Sequence, residues 1–235
     1  MKSVFLAALL VSGLSISAGA AEELVQQLEL SLRRVIPDAE ITEIRESPIR
    51  GIYEVALGPQ IVYMTEDGRY IFSGSLMDLK ESRNLSKERR AAARLAALDT
   101  LGAKSMIEFA PNNPRRMVYV FTDLDCTYCR RMHKEIGQLN NAKIGVRYLA
   151  FPRAGIGSGS YNKAVSVWCN DNQKKALTDA KAGKQIKKAK CKNPVEEHYE
   201  MGRQMGIGGT PALVLDDGTE VGGYVPAKEL INMLK

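Results

Sequence analysis

The apolar residues of the N-terminal third change their spacing along the chain. In AEELVQQLELSLRRVI, Leu24, Leu28, Leu32 and Val35 fall on one helical face, and Pro37 is expected to end the helix. Four short segments follow in which apolar and polar residues alternate, namely EITEIRE, GIYEVAL, IVYMTE and RYIFSG. This pattern predicts one helix beside a small antiparallel sheet, over about residues 22–78.

Turn residues separate the predicted strands. Ser47-Pro48 and Gly58-Pro59 interrupt the apolar runs, and Asp67-Gly68 between two β-rich segments is a strong hairpin signal. A unit of about 60 residues buries little apolar surface, and this one has no cysteine to staple it. We therefore expect the N-terminal domain, residues 21–80, to form a homodimer.

A helix-forming segment, SKERRAAARLAALDTLGAK, connects this domain to the rest of the chain. Its Ala, Arg and Leu residues favour a helix over about residues 87–101, with Ser86 as the expected N-cap and Gly102 as the stop. The apolar stripe is narrow, which indicates a partly exposed linker helix. We place this linker at residues 81–104.

The C-terminal part, residues 105–235, alternates strand-like and helix-like segments. It begins with the strand MVYVFTDL, a helix over residues 126–139 and the strand IGVRYLAF. Helices are predicted at residues 161–169, 173–182 and 194–205, before a hairpin with its turn at Asp217-Gly218 and a last helix from Ala227. This order predicts an α/β layer fold. The whole chain is therefore of the α+β class.

The first twenty residues have the layout of a secretory signal peptide. MKSVFLAALLVSGLSISAGA begins with Lys2, continues with an apolar stretch from Val4 to Leu14, and ends in small residues. The apolar stretch is shorter than the roughly 20 residues that a membrane span needs. We expect residues 1–20 to be removed near Ala20 and the protein to be exported.

Composition and charge exclude several classes of protein. Apolar residues make up 45% and charged residues 26%, which is typical of a folded domain and not of collagen, disorder or a coiled coil. The formal net charge is +6. Eight lysines crowd one stretch that we interpret as a solvated helical surface: Lys174, Lys175, Lys181, Lys184, Lys187, Lys188, Lys190 and Lys192. No aromatic residues interleave with them, so we expect no nucleic-acid binding.

The pair Cys126-x-x-Cys129 has three possible interpretations. A metal site commonly needs four ligands, and only His133 lies close by in sequence. We interpret His133 and His198 as helical surface residues and expect no metal and no cofactor. A structural disulfide is geometrically possible, but closing so short a loop constrains the unfolded chain little.

A redox-active pair fits the position best. Cys126 falls where a strand ends and a helix begins, and the free N–H groups and dipole there favour a thiolate. A thiolate is the nucleophile in disulfide exchange, so Cys126 is the expected nucleophile. Cys129 lies one turn further along, is expected to be more buried, and would resolve a mixed disulfide by attacking Cys126.

A second candidate feature is the Thr210-Pro211 pair in GIGGTPALVL, which precedes a predicted strand. Taken alone, a trans proline that opens an edge strand is the safer interpretation. Beside the cysteine pair, a cis bond that leaves backbone groups free for an extended substrate is favoured.

These segments give the chain a clear resemblance to the DsbC/DsbG family of periplasmic thiol:disulfide isomerases, within the thioredoxin superfamily. The similar stretches are FTDLDCTYC, VRYLAFPRAG, GIGGTPALVLDDGTEVGGY and, in the N-terminal domain, SPIRGIYEVALG and VYMTEDGRYIFSG. The resemblance covers essentially the whole chain after the signal segment. It implies a dimerisation domain, a linker helix and a thioredoxin-like domain.

The resemblance also implies roles for individual residues. Cys126 would be the nucleophile, Cys129 the resolving thiol, and Pro211, preceded by Thr210, the cis proline. Four cysteines permit three pairings, and the resemblance implies a non-catalytic disulfide between Cys169 and Cys191. In the chain-entropy model, closing a loop of about 20 residues contributes about 3 kcal/mol.

Partners follow from the same resemblance. The family dimer is V-shaped, with an uncharged cleft for misfolded clients, and Gly51 lies in the segment that resembles the dimer interface. The implied clients are exported proteins with wrong disulfides. The implied reductant is a membrane thiol reductase of DsbD type.

The chain departs from the family pattern around the thiols. Thr127 and Tyr128 stand between the cysteines, where the family isomerase usually has Gly-Tyr, and these two residues help to set thiolate stability. Asp125 precedes Cys126 where an uncharged residue is more usual, and a carboxylate near the thiolate would raise the pKa of Cys126. Solvent would screen this effect if Asp125 points outward.

Together these observations predict a periplasmic protein-disulfide isomerase and reductase that acts as a homodimer through Cys126 and Cys129. Three alternatives stay open on sequence alone. They are a DsbG-like reductase of sulfenylated thiols, a chaperone-like dimer whose thiols are secondary, and an exported oxidase.

Overall fold

The computed structural model describes residues 16–235, so the signal-peptide features between Lys2 and Leu14 lie outside the described residues. The chain forms two compact units. Of the described residues, the first unit contains those up to Leu57 together with Val62–Gly74, and the second contains Gly58–Ile61 and Ser75–Lys235. Within the described range, no helix combines the length and the apolar character needed to cross a membrane.

The first unit is a helix beside a four-stranded antiparallel sheet, as its apolar pattern predicts. The sheet has the order β1-β2-β3-β4. The elements of the unit are α1 (Ile16–Val35), β1 (Ile41–Glu46), β2 (Ile52–Leu57), β3 (Gln60–Thr65) and β4 (Ile71–Phe72). Helix α1 starts earlier than predicted, because Ala18, Ala20 and Ala21 are strong helix formers.

The core of the first unit is small. Leu28 and Leu32 from α1 pack against buried residues of the sheet, which are Tyr53, Val55 and Met64. Val35 was expected on the same face but is 78% exposed, because it is the last residue of α1 and extends past the sheet. So few buried side chains give the unit little hydrophobic stabilisation of its own.

The second unit contains the remaining elements. In chain order they are β5 (Met77–Asp78), β6 (Arg83–Asn84), α2 (Leu85–Leu101), a 3-10 turn (Ala103–Ser105), β7 (Ile107–Phe109), β8 (Arg116–Thr122), α3 (Thr127–Lys134), α4 (Ile136–Asn141), β9 (Ile144–Ala150), α5 (Gly159–Trp168), α6 (Gln173–Lys181), α7 (Val195–Gln204), β10 (Ala212–Leu215), β11 (Glu220–Gly222) and α8 (Ala227–Met233).

Five of these strands form one mixed sheet in the order β11-β10-β8-β9-β7. Strands β8 and β9 are parallel, and the other neighbouring pairs are antiparallel. The central strand β8 is apolar on both faces: Val118 and Val120 enter one core cluster, while Phe121 enters the other. A strand buried on both sides gives the continuous apolar run seen in the sequence.

Strand β7 and helix α3 differ from the sequence prediction. Strand β7, only three residues long, was missed because it is too short to show a period. The helix predicted over residues 126–139 is broken at Glu135. The Glu135 carboxylate accepts a hydrogen bond from the backbone N–H of Ala227 at 2.7 Å, a contact with α8 that local sequence does not encode.

The N-cap of helix α2 is Asn84, not Ser86 as predicted. The side chain of Asn84 accepts a hydrogen bond from the Lys87 N–H, so Asn84 is the N-cap. Ser86 is inside the helix and fully buried, and its Oγ accepts from the Leu76 N–H at 2.6 Å. The Ser86 prediction was wrong because this contact comes from a neighbouring hairpin.

Helix α2 packs against the β10–β11 hairpin of the same unit. The Arg94 guanidinium lies 2.8 Å from the Glu220 carboxylate and donates to the Gly218 carbonyl at 3.3 Å. Gly218 has φ of +79°, and a Cβ added there would lie 2.1 Å from the Ala91 carbonyl oxygen. The hairpin turn and the helix backbone therefore meet at a glycine that has no room for a side chain.

We expect Gly218→Ala to destabilise the protein more than Gly206→Ala. Both positions have positive φ, so both variants incur about 1–2 kcal/mol of backbone strain, but only Gly218 faces a backbone atom within 4 Å. Separating the hairpin from α2 should add about 1–3 kcal/mol for Gly218→Ala alone. Urea unfolding of the two variants measures this difference, and equal losses would contradict the close approach.

Candidate active site

The two thiols lie where β8 gives way to α3. Cys126 is the N-cap of α3, with extended φ and ψ, and its Sγ accepts a hydrogen bond from the Cys129 N–H at 3.2 Å. This N–H is one of the donors that the first turn of a helix leaves without a backbone partner. The sulfur of Cys126 thus occupies a position at which negative charge is stabilised by the helix.

A distant segment completes the site. The Thr210–Pro211 peptide bond is cis, and the Thr210 carbonyl oxygen lies 3.2 Å from the Cys126 Sγ, whose thiol proton it accepts. The Pro211 carbonyl accepts from the Gly223 N–H at 2.9 Å. The fold therefore brings together the cysteine pair and the Thr210-Pro211 pair, which are 84 residues apart in sequence.

The environment lowers the pKa of Cys126. Burial by itself would raise the pKa, but the interactions of the sulfur with Cys129 and with the Thr210 side chain, and the positive charge of Arg153, act in the opposite direction. The balance leaves the pKa of the Cys126 thiol below its ordinary value. The Thr210 hydroxyl is buried and has no hydrogen-bond partner among the described residues, so it is available to a thiolate at Cys126.

The environment of Cys129 has the opposite effect. Burial raises the pKa of this thiol, and the nearby charge of Lys181 reduces the effect without reversing it. Exposure does not separate the two thiols, since Cys126 is 2% and Cys129 1% exposed. Hydrogen bonding and charge therefore make Cys126 the more acidic thiol of the pair. The sequence had predicted only that Cys129 would be more buried than Cys126.

Asp123 supports the loop that carries Cys126, and sequence reasoning gave it no role. Its carboxylate is 3% exposed and accepts from the Asp125 N–H at 2.7 Å and from the Arg153 N–H at 2.9 Å. It thereby joins the loop after β8 to the loop after β9. An acid directly after a buried strand and three residues before a cysteine was the available signal.

Asp125 points outward, where two cations pair with it. Its carboxylate lies 2.7 Å from the Lys163 ammonium and 3.3 Å from the Arg130 guanidinium. These two cations and the solvent weaken the tendency of the Asp125 carboxylate to destabilise a thiolate at Cys126. Thr127 begins α3, and Tyr128 is 59% exposed, with its ring stacked on Tyr224 at 6.1 Å between centroids.

The other two cysteines are joined to each other. Cys169 at the end of α5 and Cys191 before α7 form a disulfide, with 5.7 Å between their Cα atoms. Cys126 and Cys129 are free thiols. The pairing is the one implied by the family resemblance, and it leaves the C-x-x-C pair as the thiols available for exchange.

Both histidines differ from the surface residues that the sequence predicted. His198 is fully buried, and its ring nitrogens lie 3.1 Å from the Ser105 Oγ and 3.3 Å from the Ala150 N–H. His133 is partly buried, 3.0 Å from the Tyr148 hydroxyl. Burial lowers the pKa of each histidine to about 4, so both are neutral at pH 7. Their polar tips bond to side chains from distant segments, which a helical pattern does not reveal.

The lysine-rich stretch also contains an exception. Seven of its eight lysines are exposed, but Lys181, at the end of α6, is 3% exposed. Leu177 and Ala180 on the same helix are buried as well, so Lys181 lies on the inward face of α6.

Over the described residues, no group of three or more His, Cys, Asp or Glu side chains is arranged to hold a metal ion. The two thiols supply the chemistry of the candidate site. It comprises an acidic thiol held at a helix start, a less acidic thiol one turn away, and a cis-proline loop against the first sulfur.

Two family models match the chain. Residues 103–235 match a thioredoxin-like domain, and residues 16–87 match the N-terminal domain of disulfide bond isomerase proteins. Among solved structures, a disulfide interchange protein from Neisseria gonorrhoeae is similar, with 31% identity and a TM-score of 0.51 over 56% of this chain and 96% of that one. These matches confirm the predicted α+β class with a thioredoxin-like C-terminal domain.

Curated relatives are similar over most of the chain. The thiol:disulfide interchange protein DsbC of Salmonella typhimurium is 37% identical over 80% of this chain and 78% of its own length. The protein of the same name from Dickeya dadantii is 35% identical over 99% of this chain and 94% of its own length. Both domains are therefore represented in the relatives.

We expect Thr210→Val to raise the pKa of Cys126, because the variant keeps the side-chain shape and removes the hydroxyl next to the sulfur. A lowered thiol pKa makes alkylation fast already in mildly acidic solution, so the variant should react several-fold more slowly with iodoacetamide at pH 6. Mass spectrometry of Cys126 over a pH series measures the shift.

Asp125→Asn is the matched control for this experiment. Since Lys163 and Arg130 already pair with the Asp125 carboxylate, the pH profile of Cys126 should stay close to that of the wild type. A larger effect from Asp125→Asn than from Thr210→Val would reverse this ranking of the two neighbours.

Proposed function

We propose a role for Cys126 and Cys129 in this chain, which belongs to the DsbC family of thiol:disulfide interchange proteins. They are the residues through which it exchanges and isomerises protein disulfides. The carrying observation is the asymmetry of the pair. Cys126 has a lowered pKa at the start of α3 and against Thr210, whereas Cys129 has a raised pKa in a buried position.

The exchange begins with the Cys126 thiolate. It attacks one sulfur of a wrong disulfide in a client protein, forming a mixed disulfide and releasing the other client sulfur as a thiolate. If a different client thiolate then attacks this client–Cys126 bond at the client sulfur, Cys126 is released and the client has a new disulfide. If Cys129 attacks the Cys126 sulfur instead, the client is released reduced, and Cys126 and Cys129 become a disulfide.

The Thr210-Pro211 segment would hold the client chain during these steps. Its position against the Cys126 sulfur supports this role, because an extended client segment reaching that sulfur passes the cis-proline loop. Asp125, Thr127 and Tyr128 are proposed to adjust the pKa of Cys126, with the effect of Asp125 weakened by its two cationic partners.

The proposed setting is the periplasm, with clients that are exported proteins carrying wrong disulfides. The signal-peptide layout of residues 1–20, with cleavage near Ala20, supports this location. A periplasmic enzyme that reduces clients has to be returned to its dithiol form. The proposed electron donor is a membrane thiol reductase of DsbD type.

We also propose three functional segments: a dimerisation domain at residues 21–80, a linker at 81–104 and a catalytic domain at 105–235. The two family matches, at residues 16–87 and 103–235, support this division. Dimerisation is supported by the edge of the first sheet. Strand β4 pairs with β3 alone among the described strands, and its Ile71 and Phe72 are 46% and 48% exposed.

An edge strand with exposed apolar side chains is a ready site for pairing with a second copy. Gly51, in the turn before β2, is proposed to lie at the same interface. Its φ of +75° is a conformation that glycine adopts at little cost.

Refolding of a scrambled, disulfide-rich protein tests the exchange activity. We expect Cys126→Ser to abolish isomerisation, because no mixed disulfide forms, and Cys129→Ser to retain part of it, because a client thiol can still release Cys126. Native product is measured against time, with the Cys169–Cys191 disulfide intact in all proteins. If wild type yields no more native product than Cys126→Ser, the proposal is wrong and a binding function is favoured.

Analytical ultracentrifugation tests the dimer. We expect Ile71→Lys to shift the protein toward monomer, because a lysine on β4 would be buried without a partner charge in a β4-edge interface. Met233→Lys, at a position equally exposed in the second unit, should sediment as the wild type does. An unchanged association constant for Ile71→Lys would place the interface elsewhere.

A further inference from the structure

A buried lysine lies beside the thiol pair. Lys181 is 3% exposed, and its Nζ donates a hydrogen bond of 2.7 Å to the Oγ1 of Thr122. The ammonium also lies 5.3 Å from the centroid of the Tyr148 ring. Among the described residues, no carboxylate forms a salt bridge with it. A buried ammonium that has only a hydroxyl and a ring as partners is costly unless an anion forms nearby.

The position of Lys181 connects it to Cys129. Thr122, which accepts its hydrogen bond, is the last residue of β8, and α3, which carries Cys129, packs against α6, which ends in Lys181. Thr122 and Cys129 are 2% and 1% exposed, so little solvent separates these groups. In so dry a place, the attraction between an ammonium and a thiolate is much stronger than in water.

The pKa values of the two groups agree with this proximity. Burial lowers the pKa of Lys181, and the charges of Cys129 and Cys126 oppose that effect, which leaves it at about 8. Burial raises the pKa of Cys129, and the charge of Lys181 is the largest influence that opposes it. Each group thus favours the charged form of the other.

Among the charged groups that raise the pKa of Lys181 against the effect of burial, the two thiols act most strongly. The Asp123 carboxylate accepts from the backbone N–H groups of Asp125 and Arg153 and keeps its charge; it also raises the pKa of Lys181, but less than either thiol does. Tyr148 on β9 keeps its proton, because burial raises its pKa well above 10. His133 on α3 is neutral at pH 7, since burial and then the charge of Lys181 lower its pKa to about 4. Arg130, also on α3, is a cation.

We propose that Lys181 is the charge partner of the Cys129 thiolate, positioned by Thr122, and that it speeds the attack of Cys129 on a mixed disulfide at Cys126. Lys181 is a positioning residue, since it acts through Cys129 and does not contact the client. This role rests on the proposed function of Cys129 as the resolving thiol.

The step that Lys181 assists is balanced without a further reactant. Cys129 releases its proton, and its sulfur attacks the Cys126 sulfur of the client–Cys126 disulfide. The Cys126–Cys129 bond forms as the Cys126–client bond breaks. The client sulfur leaves with the bonding electron pair and takes up one proton, so the thiol pair is oxidised and the client is reduced.

This charge partner changes the balance between the two outcomes of exchange. A faster attack by Cys129 shortens the lifetime of the mixed disulfide and favours reduction and release of the client. A slower attack leaves more time for a second client thiol to rearrange the bond. Lys181 therefore biases the enzyme toward release, with no change at the client-binding surface.

The test compares Lys181→Met with Lys174→Met. Both variants remove one charge from α6 and keep the side-chain volume similar, but Lys174 is exposed. In a Cys126→Ser background, the pKa of Cys129 is read from thiolate ultraviolet absorbance over a pH series. We expect it to rise in Lys181→Met and to stay at the wild-type value in Lys174→Met.

A kinetic measurement on the proteins with both thiols present follows the reaction itself. The reduced protein is mixed with oxidised glutathione, quenched with acid and analysed by mass spectrometry. Resolution of the Cys126–glutathione disulfide at pH 7 should slow by about tenfold in Lys181→Met, which corresponds to about 1.4 kcal/mol. Formation of that disulfide should change much less, because it depends on Cys126.

Lys181→Gln separates charge from hydrogen bonding, since its amide can still donate to Thr122 while the charge is lost. It should behave as Lys181→Met does, and it serves as the test protein if Lys181→Met does not fold. A folded Lys181 variant with an unchanged Cys129 pKa and an unchanged resolution rate overturns the proposal. If the wild type itself fails to resolve the mixed disulfide, the role of Cys129 fails instead, while the pKa measurement still decides the contact with Lys181.

Discussion

The candidate active site depends on one hydrogen bond, from the Cys129 N–H to the Cys126 sulfur at 3.2 Å. This bond exists only if Cys126 is the N-cap of α3, and that requires β8 to end at Thr122 and the chain to turn within four residues. Asp123 fixes that turn with its carboxylate. The cis-proline loop then closes against the other side of the sulfur. The start of α3, the loop after β8 and the cis-proline loop thus all meet at the Cys126 sulfur. Together they stabilise a thiolate that burial alone would disfavour.

The surroundings of the thiols show how the second unit tolerates buried polar groups. Asp123 receives backbone N–H donors, and His198 contacts a serine hydroxyl and a backbone amide, so each retains hydrogen bonds that compensate for lost water. Lys181 is less well compensated, because its ammonium has a single hydroxyl acceptor. In the proposed role, the buried ammonium of Lys181 is stabilised when the Cys129 thiol ionises. The cost of burying this charge is then lowest in the state that reacts.

The two units are stabilised in different ways. The second has a five-stranded sheet with core clusters on both faces, and α2 is held against its hairpin by close backbone packing at Gly218. The first has one helix over one sheet and a small core, with apolar side chains exposed on the edge strand β4. A unit with so little buried surface gains most from association, whereas the larger unit can present a reactive site without losing its stability.

Sequence alone determined the elements with strong local signals and the placement of a C-x-x-C pair at the start of a helix. The alternating segments of the first unit, the turn at Asp67-Gly68, the apolar run of β8 and the position of Cys126 before a helix all follow from local pattern. Such features are encoded by residues close together in the chain, so spacing and residue type suffice. The family was recognisable for the same reason, since its motifs are contiguous.

Tertiary structure alone decided where several polar side chains lie. Lys181 and His198 have the local pattern of surface residues, yet both are buried, because helices α6 and α7 place them against partners from distant segments. Likewise, Glu135 at the break between α3 and α4 bonds to the start of α8, and Ser86 accepts from Leu76 instead of capping α2. Burial of a charge is a property of the packed molecule, because it depends on which groups from elsewhere in the chain replace water around it.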